Sequence, residues 1–334
     1  MTEPRFLVVR LGSLGDIVHT FPAVAGLRES FPGSEIVWLT HPRWVDLVAS
    51  SGLATEIWPV DSRDLRSVRQ VIDKIRASRW DAAIDYQGLW KAAFLPFFGG
   101  VAKRVGFSSA TIREFGVPIL YTDRVVCKTT HIADQNGELS QRAGAQHPVA
   151  SFALHVCDKD AARVRADLQK AGDFDRYVVL SPGGGWRAKC WPADRFGSLC
   201  QRVRAELDLS CVINYGPGEE SLAKQVFVAS GGAKPIVYDG DLGPLMALLR
   251  GADCIVGGDT GPLHLAIALG APAVALFGPT DPARNGPYPP GEMVLRSSTA
   301  ATTYGRSNIT DASLLELTVD AVFAALKQRL GVRV

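Results

Sequence analysis

A carboxylate in the first glycine-rich turn of the chain is a candidate for a catalytic role. Asp16 follows an apolar run and ends the segment 11–16, at the start of a predicted helix. Gly12 and Gly15 allow a ligand to approach the backbone, and the free amides at a helix start attract anions. Asp is also favoured as a helix N-cap, so the spacing leaves a catalytic and a capping role open. The segment lacks the Gly-x-Gly-x-x-Gly fingerprint and does not favour a dehydrogenase.

A second turn, residues 259–264, could bind a diphosphate. It follows an apolar run and two glycines, and it opens a predicted helix. Thr260, Gly261 and Leu263 have backbone amides to offer, Thr260 adds a hydroxyl, and His264 lies one turn into the helix. A structural role is equally open, in which Asp259 or Thr260 caps the helix and His264 packs in the core.

Cations stand in a third turn, residues 182–192, which follows a predicted strand ending at Ser181. Three consecutive glycines, beginning with Gly183, permit close approach of a ligand to the backbone. Lys189 and Arg187 supply positive charge for a phosphate. A solvated surface loop is the alternative, but the two tryptophans of this turn disfavour full exposure.

Other acidic residues also stand at strand-to-helix turns. Glu219 could accept hydrogen bonds from a ribose or compensate the dipole of the helix that follows. The segments 158–160 and 239–241 each have an Asp-x-Asp pattern, with which some transferases hold a divalent ion on a diphosphate. Both pairs precede predicted helices and are explained as caps, so no metal site is expected.

Alternating strands and helices must position these turns. Short apolar runs predict buried parallel strands, and apolar residues at helical spacing predict the helices between them. The predicted strands cover residues 6–10, 36–40, 56–60, 81–87, 177–181, 211–215, 236–238, 254–256 and 273–277. The predicted helices run from the first turn to residue 30 and over residues 64–79, 131–143, 242–250, 260–269 and 312–330, with two more beginning after Pro192 and near Glu219.

This alternation predicts an α/β chain of two doubly wound, Rossmann-like domains, because parallel strands need helical crossovers and each half has its own set. We place the first domain at residues 1–150 and the second at residues 151–311, with the boundary in the polar stretch 144–151. The domains are expected to face each other across a cleft, with the ligand at the carboxyl ends of both sets of strands.

The composition restricts the class of protein further. The chain has 334 residues, 47% of them hydrophobic, and a net charge of +2, which suits two domains and gives no bulk attraction to nucleic acid. The six cysteines form no Cys-x-x-Cys pair, so a reducing cytoplasm is expected rather than a zinc site or a disulfide framework. Neither a signal peptide nor a membrane-spanning apolar run is evident.

Five motifs, taken in order, resemble the ADP-heptose:lipopolysaccharide heptosyltransferases of glycosyltransferase family nine. One motif alone is a weak signal, but five in order are a strong one, and they extend across almost the whole chain. The motifs are Leu14-Gly15-Asp16-Ile17-Val18-His19-Thr20-Phe21-Pro22-Ala23, Asp85-Tyr86-Gln87-Gly88-Leu89-Trp90-Lys91, Lys189-Cys190-Trp191-Pro192, Asp259-Thr260-Gly261-Pro262-Leu263-His264-Leu265-Ala266 and Gly278-Pro279-Thr280-Asp281-Pro282.

The resemblance implies a GT-B fold and an inverting transfer that needs neither a metal nor a cofactor. Asp16 would be the general base on the acceptor hydroxyl. Lys189, with the helix start at Thr260 and Gly261, would stabilise the charge on departing ADP. The other implied donor-binding residues are Gly15, Ser181, Gly183, Glu219, Asp259 and His264. In such folds the terminal helix, here residues 312–330, can pack back on the first domain.

The implied reaction transfers L-glycero-D-manno-heptose from ADP-heptose to the Kdo-bearing inner core of lipopolysaccharide. The implied acceptor-binding residues are Ser13, Arg63, Arg66, Lys91 and Arg113. The stretch 61–67 has two cations and two acids, fewer cations than some members of the family have there, which leaves the phosphorylation of the acceptor open. Because a Kdo-lipid A type acceptor lies in a membrane, the protein is expected to dock transiently at the cytoplasmic face of the inner membrane, with no nucleic-acid partner.

Three alternatives remain open at this stage. The first is a family-nine transferase for a later heptose or for another nucleotide sugar, which competition among ADP, UDP and GDP donors would separate. The second is a GT-B-fold sugar-nucleotide epimerase, which would act on its donor without an acceptor. The third is a sugar-nucleotide-binding protein without activity, in which replacing Asp16 would change no turnover.

Overall fold

The computed structural model describes residues 3–112, 114–146, 154–172, 176–303, 305 and 307–331. The chain divides into two compact units, Met1–His155 and Val156–Val334. The boundary expected from the sequence, residues 144–151, is slightly earlier and lies partly outside the described residues.

The first unit alternates short strands and helices. In chain order they are β1 (Arg5–Val9), α1 (Leu14–Val18), α2 (Phe21–Ser30), β2 (Glu35–Thr40), α3 (Val45–Ser50), β3 (Glu56–Pro59), α4 (Leu65–Arg76), β4 (Ala82–Asp85), α5 (Trp90–Phe98), β5 (Arg104–Phe107), β6 (Asp123–Val125) and α6 (Ile132–Ala143). The strands form one parallel sheet in the order β3-β2-β1-β4-β5-β6.

Strand β1 lies inside this sheet because its side chains are apolar on both faces. Phe6, Leu7, Val8 and Val9 are all buried, as expected for a parallel strand covered by helices on both sides. The chain runs outward from β1 through β2 to β3 and then returns to β4 on the other side of β1. The turns after β1 and β4 therefore diverge, and this reversal is where doubly wound sheets bind their ligands.

The second unit has the same plan. In chain order its elements are α7 (Asp158–Ala171), β7 (Tyr177–Ser181), α8 (Ala193–Leu207), β8 (Ser210–Asn214), α9 (Glu220–Ala229), β9 (Ile236–Tyr238), α10 (Leu242–Arg250), β10 (Cys254–Gly258), α11 (Gly261–Ala268), β11 (Ala273–Phe277), α12 (Pro282–Asn285), β12 (Met293–Arg296), α13 (Ala312–Leu315) and α14 (Val319–Arg329). All strands are parallel, in the order β12-β11-β10-β7-β8-β9. The order reverses between β7 and β10, so the ligand-binding position of this unit lies at their carboxyl ends.

The α/β class and the two doubly wound domains are confirmed, and every predicted strand is present. Sequence reasoning missed β5, β6 and β12. The last two are edge strands whose side chains are partly exposed, so they lack the apolar run that marks a buried strand.

The terminal helix predicted over residues 312–330 needs a correction. It is interrupted between α13 and α14, where the hydroxyl of Thr318 accepts a hydrogen bond from the backbone N–H of Ala321 and caps α14. Leu314, Val322 and Phe323 are buried in the hydrophobic core of the second unit. The terminal helix therefore contributes apolar side chains to the core of the second unit.

Candidate active site

Asp16 lies in α1, beyond the carboxyl end of β1. The N-cap of α1 is Ser13, and Asp16 is the third residue of the helix, so the N-cap alternative left open for Asp16 does not hold. The backbone N–H and the hydroxyl of Ser13 both donate to Asp16 Oδ2, at 3.1 and 2.9 Å. The carboxylate thus closes the turn from within the helix, as the acidic partner of a capping box does.

Arg10 binds the other carboxylate oxygen of Asp16. Arg10 Nη2 lies 2.7 Å from Asp16 Oδ1, and Arg10 Nη1 donates to the carbonyl oxygen of Tyr86. The Arg10 side chain is 6% exposed and that of Asp16 is 44% exposed, so the carboxylate is accessible to a ligand while the guanidinium is not. Sequence reasoning missed Arg10. Its only signal was a single cation at the end of an otherwise apolar strand.

The turn after β4 is fixed by a buried carboxylate. Asp85 accepts hydrogen bonds from the Tyr121 hydroxyl at 2.6 Å and from the backbone N–H groups of Gln87 and Gly88 at 2.8 and 3.2 Å. Burial raises the pKa of the Asp85 carboxyl, and these hydrogen bonds offset only part of that effect. Gln87 Oε1 in turn accepts from the backbone N–H of Leu11 at 2.7 Å. The motif Asp85–Lys91 therefore connects the turn after β4 to the turn that bears Asp16 through a hydrogen bond.

The cations assigned to the acceptor lie on strand-to-helix turns of the same unit. Lys91 is exposed in the first turn of α5, which follows β4. Arg63 precedes α4, Arg66 lies in its first turn, and both are exposed. Strand β3 is two strands away from β1 in the sheet, a spacing of roughly 10 Å. The turn that bears these two arginines therefore follows a strand two places along the sheet from the one that precedes Asp16, and Arg113 lies outside the described residues.

In the second unit, close packing of strand ends brings the predicted donor residues together. Gly257 pairs in register with Ser181 at the carboxyl ends of β10 and β7. A Cβ atom at Gly257 would lie 3.0 Å from Ser181 Cβ, and one at Gly258 would lie 2.9 Å from the carbonyl oxygen of Lys189. The two glycines thus allow the Lys189 turn to pack directly on the end of β10.

Lys189, Asp259 and His264 form a buried charged cluster. Lys189 Nζ lies 2.8 Å from Asp259 Oδ2, and His264 Nε2 lies 3.0 Å from Asp259 Oδ1. The side chains of Lys189 and Asp259 are only 10% and 8% exposed. Burial acts to raise the pKa of the Asp259 carboxyl. The hydrogen bond from His264 and the positive charge of Lys189 outweigh it and hold that pKa well below its usual range.

Tryptophans hold Lys189 in place. It ends a short 3-10 turn, Arg187–Lys189, and its Nζ lies 4.6 Å from the centre of the Trp186 ring, within reach of a cation–π interaction. Trp191 is fully buried against Phe196, and its indole N–H donates to the carbonyl oxygen of Leu317 at 2.9 Å. Lys189 is therefore not a solvated surface cation, whereas Arg187 of the same turn is exposed.

The start of α11 adds polar groups beside the charged cluster. Thr260 is the N-cap residue, with extended backbone, but its side chain makes no capping hydrogen bond. Thr260 Oγ1 is buried and has no hydrogen-bond partner among the described residues. Gly261 and Leu263 contribute backbone N–H groups without partners in the helix, whereas Pro262 has none to contribute. An anion is the natural partner for such a helix start.

Glu219 lies against Gly183, at the ends of the neighbouring strands β8 and β7. A Cβ atom at Gly183 would lie 2.2 Å from a carboxylate oxygen of Glu219, so a larger residue there would require that carboxylate to move. Glu219 Oε2 accepts a hydrogen bond from the backbone N–H of Gly216 at 2.9 Å, and Glu219 immediately precedes α9. The carboxylate is therefore positioned by its own turn.

The Asp-x-Asp pairs lie at helix starts. Asp158 and Asp160 are in the first turn of α7, and Asp241 is the N-cap residue of α10. Within the described ranges, no three His, Cys, Asp or Glu side chains come together as a group that could hold a metal ion. The described helices also include none with the length and apolar character needed to cross a membrane.

The two doubly wound domains, with charged turns at their carboxyl edges, define a GT-B-type α/β fold, and comparison with known proteins identifies the class. The family model "Glycosyltransferase family 9 (heptosyltransferase)" matches residues 68–311. The chain belongs to this family and is a glycosyltransferase, which confirms the resemblance found in the sequence.

Individual relatives extend the likeness over most of the chain. Lipopolysaccharide heptosyltransferase 1 of Pseudomonas aeruginosa is 27% identical over 304 residues, 88% of this chain and 84% of the relative. The crystal structure of a family 9 glycosyl transferase from Veillonella parvula matches with a TM-score of 0.85 at 23% identity, covering 99% of this chain and 98% of that one. E. coli heptosyltransferase WaaC, solved with ADP, matches with a TM-score of 0.76 at 25% identity, covering 97% and 99%.

Proposed function

We propose that this glycosyltransferase transfers a heptose from ADP-heptose to the Kdo-bearing inner core of a lipid A type glycolipid, with inversion and without a metal ion. The observation that carries the proposal is the buried Lys189 ammonium beside the start of α11, a combination suited to a diphosphate. The relative WaaC, solved with ADP, supports an adenine nucleotide as the donor group.

The donor diphosphate would bind at Lys189 and the start of α11. An ammonium group has three N–H donors, and Asp259 accepts one of them, so others remain for phosphate oxygens. The Thr260 hydroxyl and the backbone N–H of Gly261 would add neutral donors, and His264 would hold Asp259 in place. Fixed positive charge at this position would stabilise the negative charge that develops on departing ADP, which is the work of a divalent ion in metal-dependent transferases.

The other proposed donor contacts lie at the ends of β7 and β8 and in the first turn of the chain. Glu219 would accept hydrogen bonds from the ribose hydroxyls, since its carboxylate lies beside Gly183 and is partly exposed. Gly183, Ser181 and Gly15 lack bulky side chains, so the donor could approach their backbone closely.

Asp16 would act as the general base. As the acceptor hydroxyl oxygen forms a bond to the anomeric carbon, the bond from that carbon to the diphosphate oxygen breaks and its electron pair leaves with ADP. The hydroxyl proton passes to the Asp16 carboxylate. Attack from the face opposite ADP inverts the anomeric centre. Arg10 and Ser13 would orient the carboxylate by the contacts described above.

The acceptor is expected to be anionic and to lie in a membrane. Lys91, Arg63 and Arg66 are exposed cations on the same unit as Asp16, and Arg113 belongs to the same proposal by its place in the sequence. A Kdo carboxylate or a phosphate would suit such cations. The protein would then act in the cytoplasm, peripherally at the inner membrane.

The test is ADP release from ADP-heptose in the presence of EDTA, with and without deacylated Kdo-lipid A, for wild type and Asp16→Asn. We expect release that depends on the acceptor, persists in EDTA and falls by about 100-fold or more in the variant, as for loss of a general base. Asp46→Asn is the matched control, because Asp46 is also an exposed acid in the first turn of a helix of the first unit. It should retain wild-type turnover.

Each alternative has its own outcome in the same assay. Release only with an acceptor that already bears a heptose, or only from a UDP or GDP sugar, would replace the proposed substrate by another of the family. Conversion of ADP-heptose without any acceptor would favour an epimerase. Binding of ADP without turnover in any combination would overturn the catalytic proposal, and turnover that EDTA abolishes would overturn the metal-free mechanism.

A further inference from the structure

Helix α5 of the first unit exposes three phenylalanines to solvent. Phe94, Phe97 and Phe98 are 37%, 40% and 49% exposed. With Trp90 they stand at positions i, i+4, i+7 and i+8 of the helix, which lie on one face. Neighbouring rings are in contact, with centroids 5.2 Å apart for Trp90 and Phe94, 5.5 Å for Phe94 and Phe98, and 5.3 Å for Phe97 and Phe98. We call these four residues the aromatic face.

A neighbouring turn extends the apolar surface. Val117 and Leu120 pack with Ala93 of α5 in a small buried cluster. Two other residues of the segment 115–120 point outward, since Phe115 is 96% exposed and Ile119 is also largely exposed. The segment is fixed to α5, because a Cβ atom at Gly116 would lie 3.0 Å from the Trp90 ring. Exposed apolar groups of this size, grouped on adjacent elements, mark an interaction surface.

Cations flank the aromatic face. Lys91 is exposed one residue after Trp90. At the other end of the helix, Arg76 Nε donates to the carbonyl oxygen of Phe98 at 2.9 Å, and the Arg104 guanidinium lies 5.4 Å from the centre of the Phe97 ring. Basic residues around apolar side chains favour an anionic, partly apolar partner.

The acids near this surface are engaged locally. Glu114 Oε2 accepts a hydrogen bond from the backbone N–H of Trp90 at 2.8 Å. Asp73 Oδ1 lies 3.4 Å from Arg76 Nη1. The carboxylate of Glu114 serves the start of α5, and that of Asp73 compensates only one of the flanking cations.

We propose that the aromatic face, with Phe115 and Ile119, docks on an anionic phospholipid bilayer. Aromatic side chains partition to the boundary between lipid chains and water, and nearby Lys and Arg are attracted to anionic headgroups. A second copy of the chain is a poorer occupant, because a two-fold contact over this face would bring its flanking cations together. A single protruding ring such as that of Phe115 can also insert into a fluid lipid bilayer, because a bilayer needs no complementary pocket.

Membrane docking through α5 would serve the proposed transfer to a lipid-linked acceptor, and only this biological purpose rests on the proposed function. Helix α5 begins at the turn after β4, which Gln87 ties to the turn that bears Asp16. Docking through α5 would therefore hold the turns after β1 and β4, and Lys91, near the membrane surface where a lipid-linked acceptor lies.

The test is co-sedimentation of the full chain with vesicles of phosphatidylethanolamine and phosphatidylglycerol, compared with vesicles of phosphatidylcholine alone. Wild type is expected to bind the anionic vesicles, and more weakly at high salt. The double variant Phe94→Ser/Phe98→Ser and the single variant Phe115→Ser should each bind at least about tenfold more weakly, since each removes apolar area from the contact. The control is Phe227→Ser/Val228→Ser, which changes two exposed apolar residues of the second unit, 43% and 69% exposed, and should bind like wild type.

Several results would overturn the inference. One is that the wild-type protein does not bind the anionic vesicles, and another is that the aromatic variants bind them as the wild type does. A third is that the wild type is a dimer in analytical ultracentrifugation and the same variants are monomers. ADP release with deacylated acceptor separates this inference from the proposed function. Variants that lose vesicle binding but retain this release support the inference. Vesicle binding by a wild type that transfers no heptose also supports it, while overturning the proposed function.

Discussion

Arg10 and Asp16 form an ion pair in which the two partners differ in exposure. Arg10 Nη2 lies 2.7 Å from Asp16 Oδ1, and the buried guanidinium also donates to the carbonyl oxygen of Tyr86, just after β4. One buried side chain therefore joins the end of β1, the end of β4 and a half-exposed carboxylate. In the proposed reaction Arg10 would be a positioning residue, since it reaches the acceptor only through Asp16.

Arg10→Gln is expected to lower kcat about 100-fold, the effect of a misplaced catalytic group, with little change in the KM for ADP-heptose. Arg10→Lys keeps the charge but not the fork that reaches two acceptors at once, so its kcat should fall between those of Gln and wild type. Initial rates of ADP release measure both variants. Arg43→Gln, which changes an exposed arginine of the same unit, should retain the wild-type rate. Wild-type kcat in a folded Arg10→Gln variant would contradict the positioning role.

Thr260→Val should separate ligand binding from stability. The buried Thr260 hydroxyl makes no hydrogen bond to the described residues, so its loss should not lower the free energy of unfolding. If the hydroxyl binds the diphosphate, the Kd for ADP should rise about tenfold, equivalent to one hydrogen bond. Titration calorimetry and urea unfolding measure the two effects. Thr318→Val is the reverse control, because it removes a helix cap worth about 1 kcal/mol and should leave ADP binding unchanged. Equal Kd values for Thr260→Val and wild type would remove Thr260 from the donor site.

Gly183→Ala should weaken donor binding by displacing Glu219. The added Cβ would lie 2.2 Å from the Glu219 carboxylate, which must move. If Glu219 binds the ribose, we expect the KM for ADP-heptose to rise about tenfold or more, as when a hydrogen bond to a charged group is lost. Gly232→Ala serves as the control, because nothing lies within 4 Å of a Cβ atom there. A displaced Glu219 with an unchanged KM would leave the ribose contact without support.

The buried pair of Asp259 and Lys189 should make stability depend on pH. A carboxyl whose pKa is lowered by folding stabilises the protein above its unfolded-state pKa of about 3.9, and that stabilisation is lost as the pH falls through the folded-state pKa. Asp259→Asn leaves the buried Lys189 without its counter-ion and should lower the free energy of unfolding by about 3–5 kcal/mol at neutral pH. The difference from wild type should shrink below about pH 4, as wild type loses the same contribution.

Urea unfolding at neutral and acidic pH checks this expectation. Asp46→Asn, at an exposed position, should follow the wild-type pH profile throughout. A difference between Asp259→Asn and wild type that stays constant with pH would show that the charge of Asp259 is not its source.

Sequence patterns predicted most of the buried strands and the turns that follow them, but not β5, which is short and contains Arg104 and Gly106. Strands such as β1 and β10 are recognisable because their side chains are apolar on both faces. The edge strands β6 and β12 were missed because their partly exposed side chains form no such pattern. The sequence left Asp16 as either an N-cap or a catalytic residue, and only the structure shows that the N-cap is Ser13.

By itself, the sequence determined the α/β class, the two domains and the family, because strand periodicity and motif order are local properties of the chain. Only the tertiary structure decided which charges meet. Lys189 and Asp259 are far apart in sequence, and their pairing depends on strand order in the second sheet and on glycines that let the turns pack closely. Arg10 meets Asp16 because its buried guanidinium is also held by the carbonyl oxygen of Tyr86. The terminal helix joined the second domain for a similar reason, since its apolar face fits the core of that unit.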